Sequence, residues 1–417
     1  MKLQTLTRVA GIALAATLAM PVCGAGPDVK DDRDRVPHYR VVDLGTLKGA
    51  YSFAWGINSE GAVAGSSATA SQSGDPAQAV PQPPQTAFLW DRGRIINLGT
   101  LGGPNSAANG PNSRDQTLIN SDTDQADPNG EDFCNFGTHL KCHAAIWHHG
   151  ALTPLRTLPG GNNAQAYWIN DRGQVIGFSE TQTDPQRKAG YCATPSQLLD
   201  FEAVIWEPDG NIRTRLRPLR GDTVAFGWGI NNRGEAVGGS GKCSNTVVPP
   251  YIPSAPHAVI WEPDGTPIAL GDLGAGDTLA TAINNRGEVT GGGPSPDGTN
   301  HIFLWSKASG FQDLGGYPGA GVTVAPCCNT LNDSDQIAGF AVDSGGNSFA
   351  FLWQDHQWLN LNQLIPKNSP WNLIAAYSIN DAGEIVGVGL RHGKTRAFLA
   401  IPCHSHNGRE CCEPHDE

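Results

Sequence analysis

The stretch WGINSEGAVAG, residues 55–65, returns six times along the chain. Close copies begin at residues 167, 228, 281, 329 and 377, and a degenerate copy, NGPNSRDQTLI, begins at residue 109. The shared Asn recurs every 48 to 61 residues, at positions 58, 112, 170, 231, 284, 332 and 380. Repetition at a period of this length is typical of solenoids and propellers, in which each copy is one supersecondary unit.

Two further phrases complete each repeat. An aromatic phrase such as TAFLW (86–90) or HAVIW (257–261) lies between the copies, and a phrase such as INLGTL (96–101) follows it. These runs are rich in β-branched and aromatic residues and are bounded by Gly, Asn, Asp or Pro, so each repeat predicts four short strands. The composition agrees, because 16% charged residues, 52 Gly and 30 Pro suit many short strands better than long helices.

The order of the phrases predicts a closed ring. The last repeat ends at Ile401 without its third phrase, whereas an extra copy, VVDLGTL (41–47), precedes the first repeat. If the first strand completes the last blade, no sheet edge is left open between the chain ends. We therefore predict an all-β, seven-bladed β-propeller with four-stranded blades over residues 38–402, closed by an N-terminal strand that completes the last blade.

The repeated phrase itself has a geometric explanation. Asn58 and Gly61 stand first and fourth in a tight turn, where an Asn side chain hydrogen-bonds the backbone two residues on and Gly accepts a positive φ. We therefore assign the repeated Asn and Gly to turn formation and not to catalysis. In the degenerate copy Pro111 replaces Ile and Asp115 replaces Gly, so we expect an irregular hairpin there.

The chain begins with a pattern typical of a secretory signal peptide. Lys2 and Arg8 precede or open an apolar stretch that ends in small residues, so we assign residues 1–25 to a signal peptide and 26–37 to a charged linker. No later segment is long enough to span a membrane, which predicts a secreted protein, periplasmic or extracellular. The formal net charge of −12, without a recognised Lys/Arg cluster, argues against a nucleic-acid partner.

The phrases together resemble those of the extracellular HAF-repeat family. The resemblance is carried by His143-Ala144, His257-Ala258, the AFLW of residues 87–90 and 350–353, DLGTLGG-like runs near residues 97–103, and the Ile-Asn phrases. It extends over about residues 39–401 and implies a secreted bacterial repeat protein with a propeller-like fold. It implies no catalytic residues.

The connections after the second strand of each repeat differ in length around the ring. They are long in the first four repeats (66–85, 121–142, 180–201 and 240–256) and short in the last three. Long loops on a rigid scaffold often carry binding, although tolerated insertion explains them equally well. Their aromatic residues are the candidate contacts with an extracellular protein or glycan: Phe133, Phe136, Tyr191 and Tyr251.

Most cysteines fall in these loops or in the C-terminal tail. We expect Cys134 to pair with Cys142 and Cys192 with Cys243 in an oxidising compartment, although sequence alone leaves the connectivity open. The tail, residues 403–417, combines six ligand-type side chains that suit zinc or copper: Cys403, His404, His406, Cys411, Cys412 and His415. Their spacing matches no standard site, and a disulfide between the tail and Cys327 or Cys328 is the competing interpretation. No other cofactor is predicted.

Other candidate chemistry has simpler explanations. The Trp at the end of the aromatic phrase (90, 147, 206, 261, 305 and 353) occupies one repeated position, which favours core packing over sugar stacking. His143, His257 and His301 lie four residues before such a Trp and favour a strand-edge hydrogen bond over a metal site. GGSGK, beginning at residue 238, fails the Gly-x-Ser-x-Gly pattern of a hydrolase nucleophile.

Two functions of different class remain. The first is a non-enzymatic binding scaffold that recognises an extracellular protein or glycan through the long loops of blades 1–4. The second is an extracellular hydrolase or lyase with acidic residues at the central channel. Carboxylates or His facing the channel favour the enzyme, and a channel without them favours the scaffold.

Overall fold

Twenty-eight strands build the computed structural model, which describes residues 36–69, 84–182, 199–242, 257–327 and 329–403. The strands form seven four-stranded antiparallel sheets, the blades. Blade 1 contains β2 (Ser52–Ile57), β3 (Val63–Ala68), β4 (Gln85–Asp91) and β5 (Arg94–Gly99). Blade 2 contains β6 (Gly102–Pro111), β7 (Gln116–Ala126), β8 (Leu140–His148) and β9 (Ala151–Pro154). Blade 3 contains β10 (Ala164–Ile169), β11 (Val175–Thr181), β12 (Asp200–Trp206) and β13 (Ile212–Leu216).

The remaining blades repeat the same order. Blade 4 contains β14 (Val224–Ile230), β15 (Ala236–Gly241), β16 (His257–Trp261) and β17 (Pro267–Ala269). Blade 5 contains β18 (Leu279–Ile283), β19 (Val289–Pro294), β20 (Asn300–Ser306) and β21 (Gly310–Gly315). Blade 6 contains β22 (Ala320–Val324), β23 (Ile337–Asp343), β24 (Ser348–Gln354) and β25 (Gln357–Asn360), followed by a 3-10 helix, Leu361–Gln363. Blade 7 contains β26 (Trp371–Ile379), β27 (Ile385–Arg391), β28 (Lys394–Pro402) and β1 (Tyr39–Asp43).

The fourth strand of blade 7 comes from the beginning of the propeller. β1 pairs antiparallel with β28, from Tyr39 opposite Pro402 to Asp43 opposite Phe398. Tyr39 is 1% exposed and belongs to the hydrophobic cluster of Phe398 and Leu361. The predicted closure and the predicted seven blades are therefore confirmed.

The repeated Asn closes each turn at the end of a blade's first strand, as predicted. Asn58 Oδ1 accepts hydrogen bonds from the backbone N–H groups of Glu60 (3.0 Å) and Ala62 (2.9 Å). The Asn residues at the other six turns make the equivalent pair of bonds. Gly61 has the expected positive φ of 82°, and Asp115 takes the same left-handed conformation (φ 58°) in the degenerate copy.

The same Asn side chains also join the blades, which the sequence interpretation missed. Asn58 Nδ2 donates to the carbonyl oxygen of Asn112 at 3.0 Å, and each following Asn donates to the next at 2.9 to 3.1 Å. Asn380 donates back to the carbonyl oxygen of Asn58 at 3.0 Å, which completes a cycle of seven. All seven side chains are buried. We call this cycle the Asn ring.

The two ends of the propeller differ because the Asn ring occupies only one of them. We call the end with the Asn ring the turn end and the opposite end, where second strands connect to third strands, the loop end. The loop-end connections span residues 69–84, 127–139, 182–199 and 242–256 in blades 1–4, and only 295–299, 344–347 and 392–393 in blades 5–7. The predicted asymmetry of the loop end is thus confirmed.

The repeated Trp residues pack between blades, as expected. Trp206 and Trp261 are fully buried, and Trp305 and Trp353 are 9% and 5% exposed. Trp206 Nε1 donates to the carbonyl oxygen of Arg156 in the preceding blade at 2.8 Å, and Trp261 Nε1 donates to that of Arg217 at 2.7 Å. Burying an indole while satisfying its N–H makes each contact both apolar and directional.

Substitution of one ring residue tests the energetic role of the Asn ring. Asn284→Ala removes the buried bond to Asn332 and leaves the two partly buried N–H groups of its own turn without their acceptor, so we expect a loss of about 2 to 4 kcal/mol in the free energy of unfolding. Chemical denaturation measures this. Asn285→Ala, at the exposed neighbouring position, is the control and should cost less than about 1 kcal/mol. Equal losses in the two variants would refute the role of the ring.

Candidate functional site

A cavity of about 90 Å³ opens on the axis at the turn end. Its wall contains six of the seven Asn residues of the ring (all but Asn112), the apolar residue before each ring Asn, and the polar residue after each of those six. The apolar members include Ile57, Ile169 and Leu331, and the polar members include Asp171, Asn232 and Asp333. The repeated phrase therefore lines this cavity as well as closing the turns.

Three carboxylates stand at the mouth of the axial cavity: Asp171, Asp333 and Asp381. Each Oδ1 accepts a hydrogen bond from the backbone N–H of the corresponding residue in the preceding blade. The donors are Ser113 for Asp171 (2.9 Å), Asn285 for Asp333 (2.8 Å) and Asp333 for Asp381 (2.8 Å). Burial alone would raise the pKa of Asp171, but hydrogen bonds from Ser113 and Asn232 hold it below its ordinary value. These carboxylates act as hydrogen-bond acceptors that connect blades.

Aromatic side chains occupy the middle of several inner strands. In five blades the pairing of the first strand with the second skips one residue, which lies three positions before the ring Asn. The skipped residues are Trp55, Tyr167, Trp228, Thr281 and Tyr377. The rings of Trp55 and Tyr377 lie 4.6 Å apart across blades 1 and 7, and those of Tyr167 and Trp228 lie 6.1 Å apart across blades 3 and 4. Burial raises the pKa of Tyr377 to about 12.

The blade-2 loop is folded onto the loop end and corrects one prediction. Phe133 and Phe136, which we expected to contact a ligand, are only 4% and 6% exposed. Both belong to a hydrophobic cluster with Phe178, Phe201 and Trp228 of blades 3 and 4. The long loop thus buries its aromatic rings against neighbouring blades, because a 13-residue insertion lowers its free energy by removing these rings from water. The other two predicted aromatics, Tyr191 and Tyr251, lie outside the described residues.

The cysteines are consistent with an oxidised protein. Cys134 is bonded to Cys142, the pair that the loop spacing favoured. Cys327 and Cys403 are also disulfide-bonded, so Cys403 offers no thiolate to the metal set considered for the tail. Cys192, Cys243, His404, His406, Cys411, Cys412 and His415 lie outside the described residues.

A larger cleft lies at the loop end of blade 3. It has a volume of about 590 Å³, within the size range of small-ligand sites. Its wall is formed by the end of β11, the beginning of β12, the segment after β13 and the approach to β14: Thr181, Gln182, Asp200, Phe201, Glu202, Arg215, Arg217, Pro218, Asp222 and Thr223. We call this feature the blade-3 cleft.

Charged groups on the wall of the blade-3 cleft are held in fixed positions. Arg215 Nε donates to Glu202 Oε2 at 2.7 Å, and a second contact makes the pair bidentate. Asp222 Oδ2 accepts from Ser240 Oγ at 2.6 Å and lies 3.0 Å from His257 Nδ1. Fixed polar groups of both signs suit a ligand that both donates and accepts hydrogen bonds.

Ser240, Asp222 and His257 resemble a catalytic triad only in composition. Ser240 is the serine of GGSGK, and its hydroxyl donates to Asp222 instead of to the imidazole. It lies inside β15 and is fully buried, and it also accepts from the backbone N–H of Leu219. A nucleophilic serine needs an exposed oxygen hydrogen-bonded to its base, so this group is structural.

The three repeated histidines make separate contacts at strand edges, as expected. His143 Nε2 lies 3.0 Å from the carbonyl oxygen of Asn162, and burial lowers its pKa. His301 lies between two carboxylates, with Nδ1 2.9 Å from Asp313 Oδ2 and Nε2 3.2 Å from Asp297 Oδ2. Burial alone would lower the pKa of His301, but these carboxylates raise it above its ordinary value.

No protein-family model matches the chain, and no curated protein matches it. Solved structures do resemble it. The chain is 13% identical to a puromycin hydrolase mutant, crystallised with PGG, with a TM-score of 0.50; the match covers 87% of this chain and 55% of that chain. It is 11% identical, with a TM-score of 0.49, to the β-propeller domain of the Trilobed protease from Pyrococcus furiosus, described as having an open velcro topology; 86% of this chain and all of that chain are covered.

A third similar structure is acylaminoacyl peptidase from Pyrococcus horikoshii, 10% identical with a TM-score of 0.49, covering 88% of this chain and 54% of that chain. The chain thus spans about half the length of two of these three proteins. Identities this low indicate a shared fold alone. Among the described residues, no helix is long and apolar enough to cross a bilayer.

The environment of His301 predicts a pH dependence. Because its pKa is raised in the folded state, protonated His301 stabilises the fold below its unfolded pKa, and this stabilisation is lost as the pH rises through the folded value. We expect His301→Gln to lower the free energy of unfolding by up to about 1 kcal/mol at pH 5.5 and by less at pH 8.5. Asp313→Asn should lower the pKa of His301 in an NMR titration, and an unchanged pKa would contradict this account.

Proposed function

We propose that this chain is a secreted, non-enzymatic binding module that recognises an extracellular protein or glycan at the loop end of blades 1–4. The observation that carries the proposal is the blade-3 cleft, a concave feature of about 590 Å³ on the end where the long connections occur. Clefts of this size with a few fixed polar groups are typical of ligand sites. The rigid propeller supplies the fixed geometry, and the variable end supplies the contacts.

The blade-2 loop packs behind the wall of the blade-3 cleft and stabilises it; in this proposal the loop is not itself a contact surface. Phe133 packs at 5.3 Å from Phe178, which packs at 5.3 Å from Phe201 on the wall of the cleft. The Cys134–Cys142 disulfide holds the loop that carries Phe133. A cleft wall supported in this way is already formed before a ligand arrives, which reduces the entropy lost on binding.

Secretion is part of the same proposal. The signal-peptide pattern of residues 1–25 lies outside the described residues, but the disulfides favour an oxidising compartment. The HAF-repeat resemblance, which implies an extracellular protein, points the same way. Detection of the processed chain outside the cytoplasm of the producing cell, beginning after residue 25, is the direct check.

The enzyme hypothesis is supported by the carboxylates of Asp171, Asp333 and Asp381 at the axial cavity. A carboxyl group that acts as the general acid of a hydrolase or lyase at the channel must hold a proton near neutral pH, which requires a raised pKa. Asp171 has the opposite shift, and all three groups accept backbone N–H bonds between blades. We therefore rank catalysis at the channel below binding at the loop end.

A binding screen with matched variants tests the proposal. The mature chain is screened against glycans and extracellular surface proteins, and each hit is measured again with Glu202→Ala/Arg215→Ala, which removes the ion pair on the cleft wall. We expect affinity to fall about tenfold or more, the loss produced by removing one good polar contact. Glu207→Ala/Arg213→Ala removes a similar pair on the same strand outside the cleft and should change little.

Either of two results would refute this choice of site: undiminished binding by the cleft variant, or an equal loss in the control variant. Hydrolysis of a screened compound that is abolished by Asp333→Asn and unaffected by the cleft variant would favour the enzyme hypothesis instead.

A further inference from the structure

Four arginines lie within eight residues on the outer edge of blade 3: Arg213, Arg215, Arg217 and Arg220. This is the Lys/Arg cluster that our sequence interpretation overlooked in a chain of net charge −12. Residues 213, 215 and 217 alternate along β13 and its extension, so their side chains project from one face of the strand. All three side chains are exposed.

Only two of the four arginines are neutralised within the described part of the chain. Arg213 Nη1 lies 2.7 Å from Glu207 Oε1, and Arg215 forms the bidentate pair with Glu202. Within residues 199–242 and the other described ranges, Arg217 and Arg220 have no carboxylate within ion-pairing distance. Arg217 lines the blade-3 cleft, whereas Arg220 follows it in the next turn. Among the residues that the structure describes, the cleft therefore contains one guanidinium without an ion-pair partner.

The backbone of Arg217 is fixed on both sides. Leu216, directly before it, is fully buried, and the carbonyl oxygen of Arg217 accepts the Trp261 indole N–H at 2.7 Å. Pro218, directly after it, restricts the chain further. The backbone that carries the guanidinium is thus fixed, so only the rotamers of the side chain remain to be ordered when it meets a planar anion.

Beside Arg217, the wall of the cleft carries the Arg215–Glu202 pair and the carboxylates of Asp200 and Asp222. Glu202 and Asp222 line the same wall and accept hydrogen bonds from donors on the protein. Carboxylate oxygens have several acceptor positions each, so both still accept hydroxyl donors from a ligand. A planar cation outside the Arg215–Glu202 pair, beside carboxylate acceptors, suits a molecule that carries a carboxylate and several hydroxyl groups.

From this juxtaposition we propose that the blade-3 cleft binds an acidic sugar unit of a glycan, with Arg217 paired to its carboxylate and Glu202 and Asp222 accepting from its hydroxyls. The inference rests on the proposed binding function and names its ligand class. Nucleic acid fits less well, because a polyphosphate chain needs many cations along its path and here meets three carboxylates beside one arginine without an ion pair among the described residues.

Titration calorimetry with the full mature chain tests the assignment. The probes are an oligogalacturonide tetramer, the same tetramer with its carboxyl groups reduced to alcohols, and a sulfated galactose tetramer. We expect the acidic tetramer to bind about tenfold or more tightly than the reduced one, since a charge-assisted bidentate contact contributes at least that factor. Arg217→Met should remove this difference.

Arg156→Met is the matched control. Arg156 is the counterpart of Arg217 in blade 2: it follows a buried Leu, is exposed, and its carbonyl oxygen accepts the Trp206 indole N–H at 2.8 Å. It lies outside the cleft wall. Because the two variants remove the same group from equivalent positions, a loss confined to Arg217→Met identifies the cleft and not a general change in charge or folding.

The remaining outcomes separate this inference from the proposed function. Equal affinity of wild type for the acidic and reduced tetramers, unchanged binding by Arg217→Met, or tighter binding of the sulfated tetramer would each overturn the carboxylate assignment. If neither galacturonide binds while another ligand from the screen loses affinity in Glu202→Ala/Arg215→Ala, the binding function stands and the acidic-sugar assignment falls. If no ligand depends on the cleft, both fall.

Discussion

The cycle of seven Asn amides at the turn end is the constraint on which the fold depends. Each side chain satisfies the N–H groups of its own turn with Oδ1 and reaches the carbonyl oxygen of the next blade with Nδ2. The last bond, from Asn380 to Asn58, forms only if blade 7 lies beside blade 1. Pairing of β1 with β28 imposes the same condition at the outer edge. The propeller is therefore closed at two places: by the Asn side chains near the axis and by the pairing of β1 with β28 at the outer edge.

This constraint explains where the repeats differ in length. Successive ring Asn residues are 48 to 61 positions apart, yet the hydrogen bonds that join them stay within 2.9 to 3.1 Å. Since the turn end has one geometry for all blades, the additional residues are found at the loop end, where no equivalent cycle connects the blades. An irregular hairpin is tolerated under the same rule: blade 2 lacks the turn Gly, but Asp115 adopts the left-handed conformation and Asn112 keeps its bonds.

The periodic features could be predicted from sequence, and the aperiodic ones could not. Seven blades, closure by the first strand, the turn Asn and the buried Trp follow from repetition, because one physical explanation must hold at every copy. The positions of Phe133 and Phe136 depend on contacts with blades 3 and 4 that no local pattern reveals. The arginines of β13 can be read directly from the sequence. Their significance depends on which of them form ion pairs with Glu202 or Glu207, and only the folded structure shows these pairs.

Under the proposed function, the asymmetry between the ends separates stability from recognition. The turn end commits its polar groups to neighbouring blades, so a ligand there would compete with bonds that hold the ring together. At the loop end the wall of the blade-3 cleft is supported by the blade-2 loop. The Cys134–Cys142 disulfide holds the loop that carries Phe133, and Phe133 packs against Phe178, which packs against Phe201 on the cleft wall. The charged groups on that wall can then meet a ligand without disturbing the ring. Phe133 and Phe136, which we expected to contact a ligand, thus lie behind the wall of the cleft, where they determine its shape.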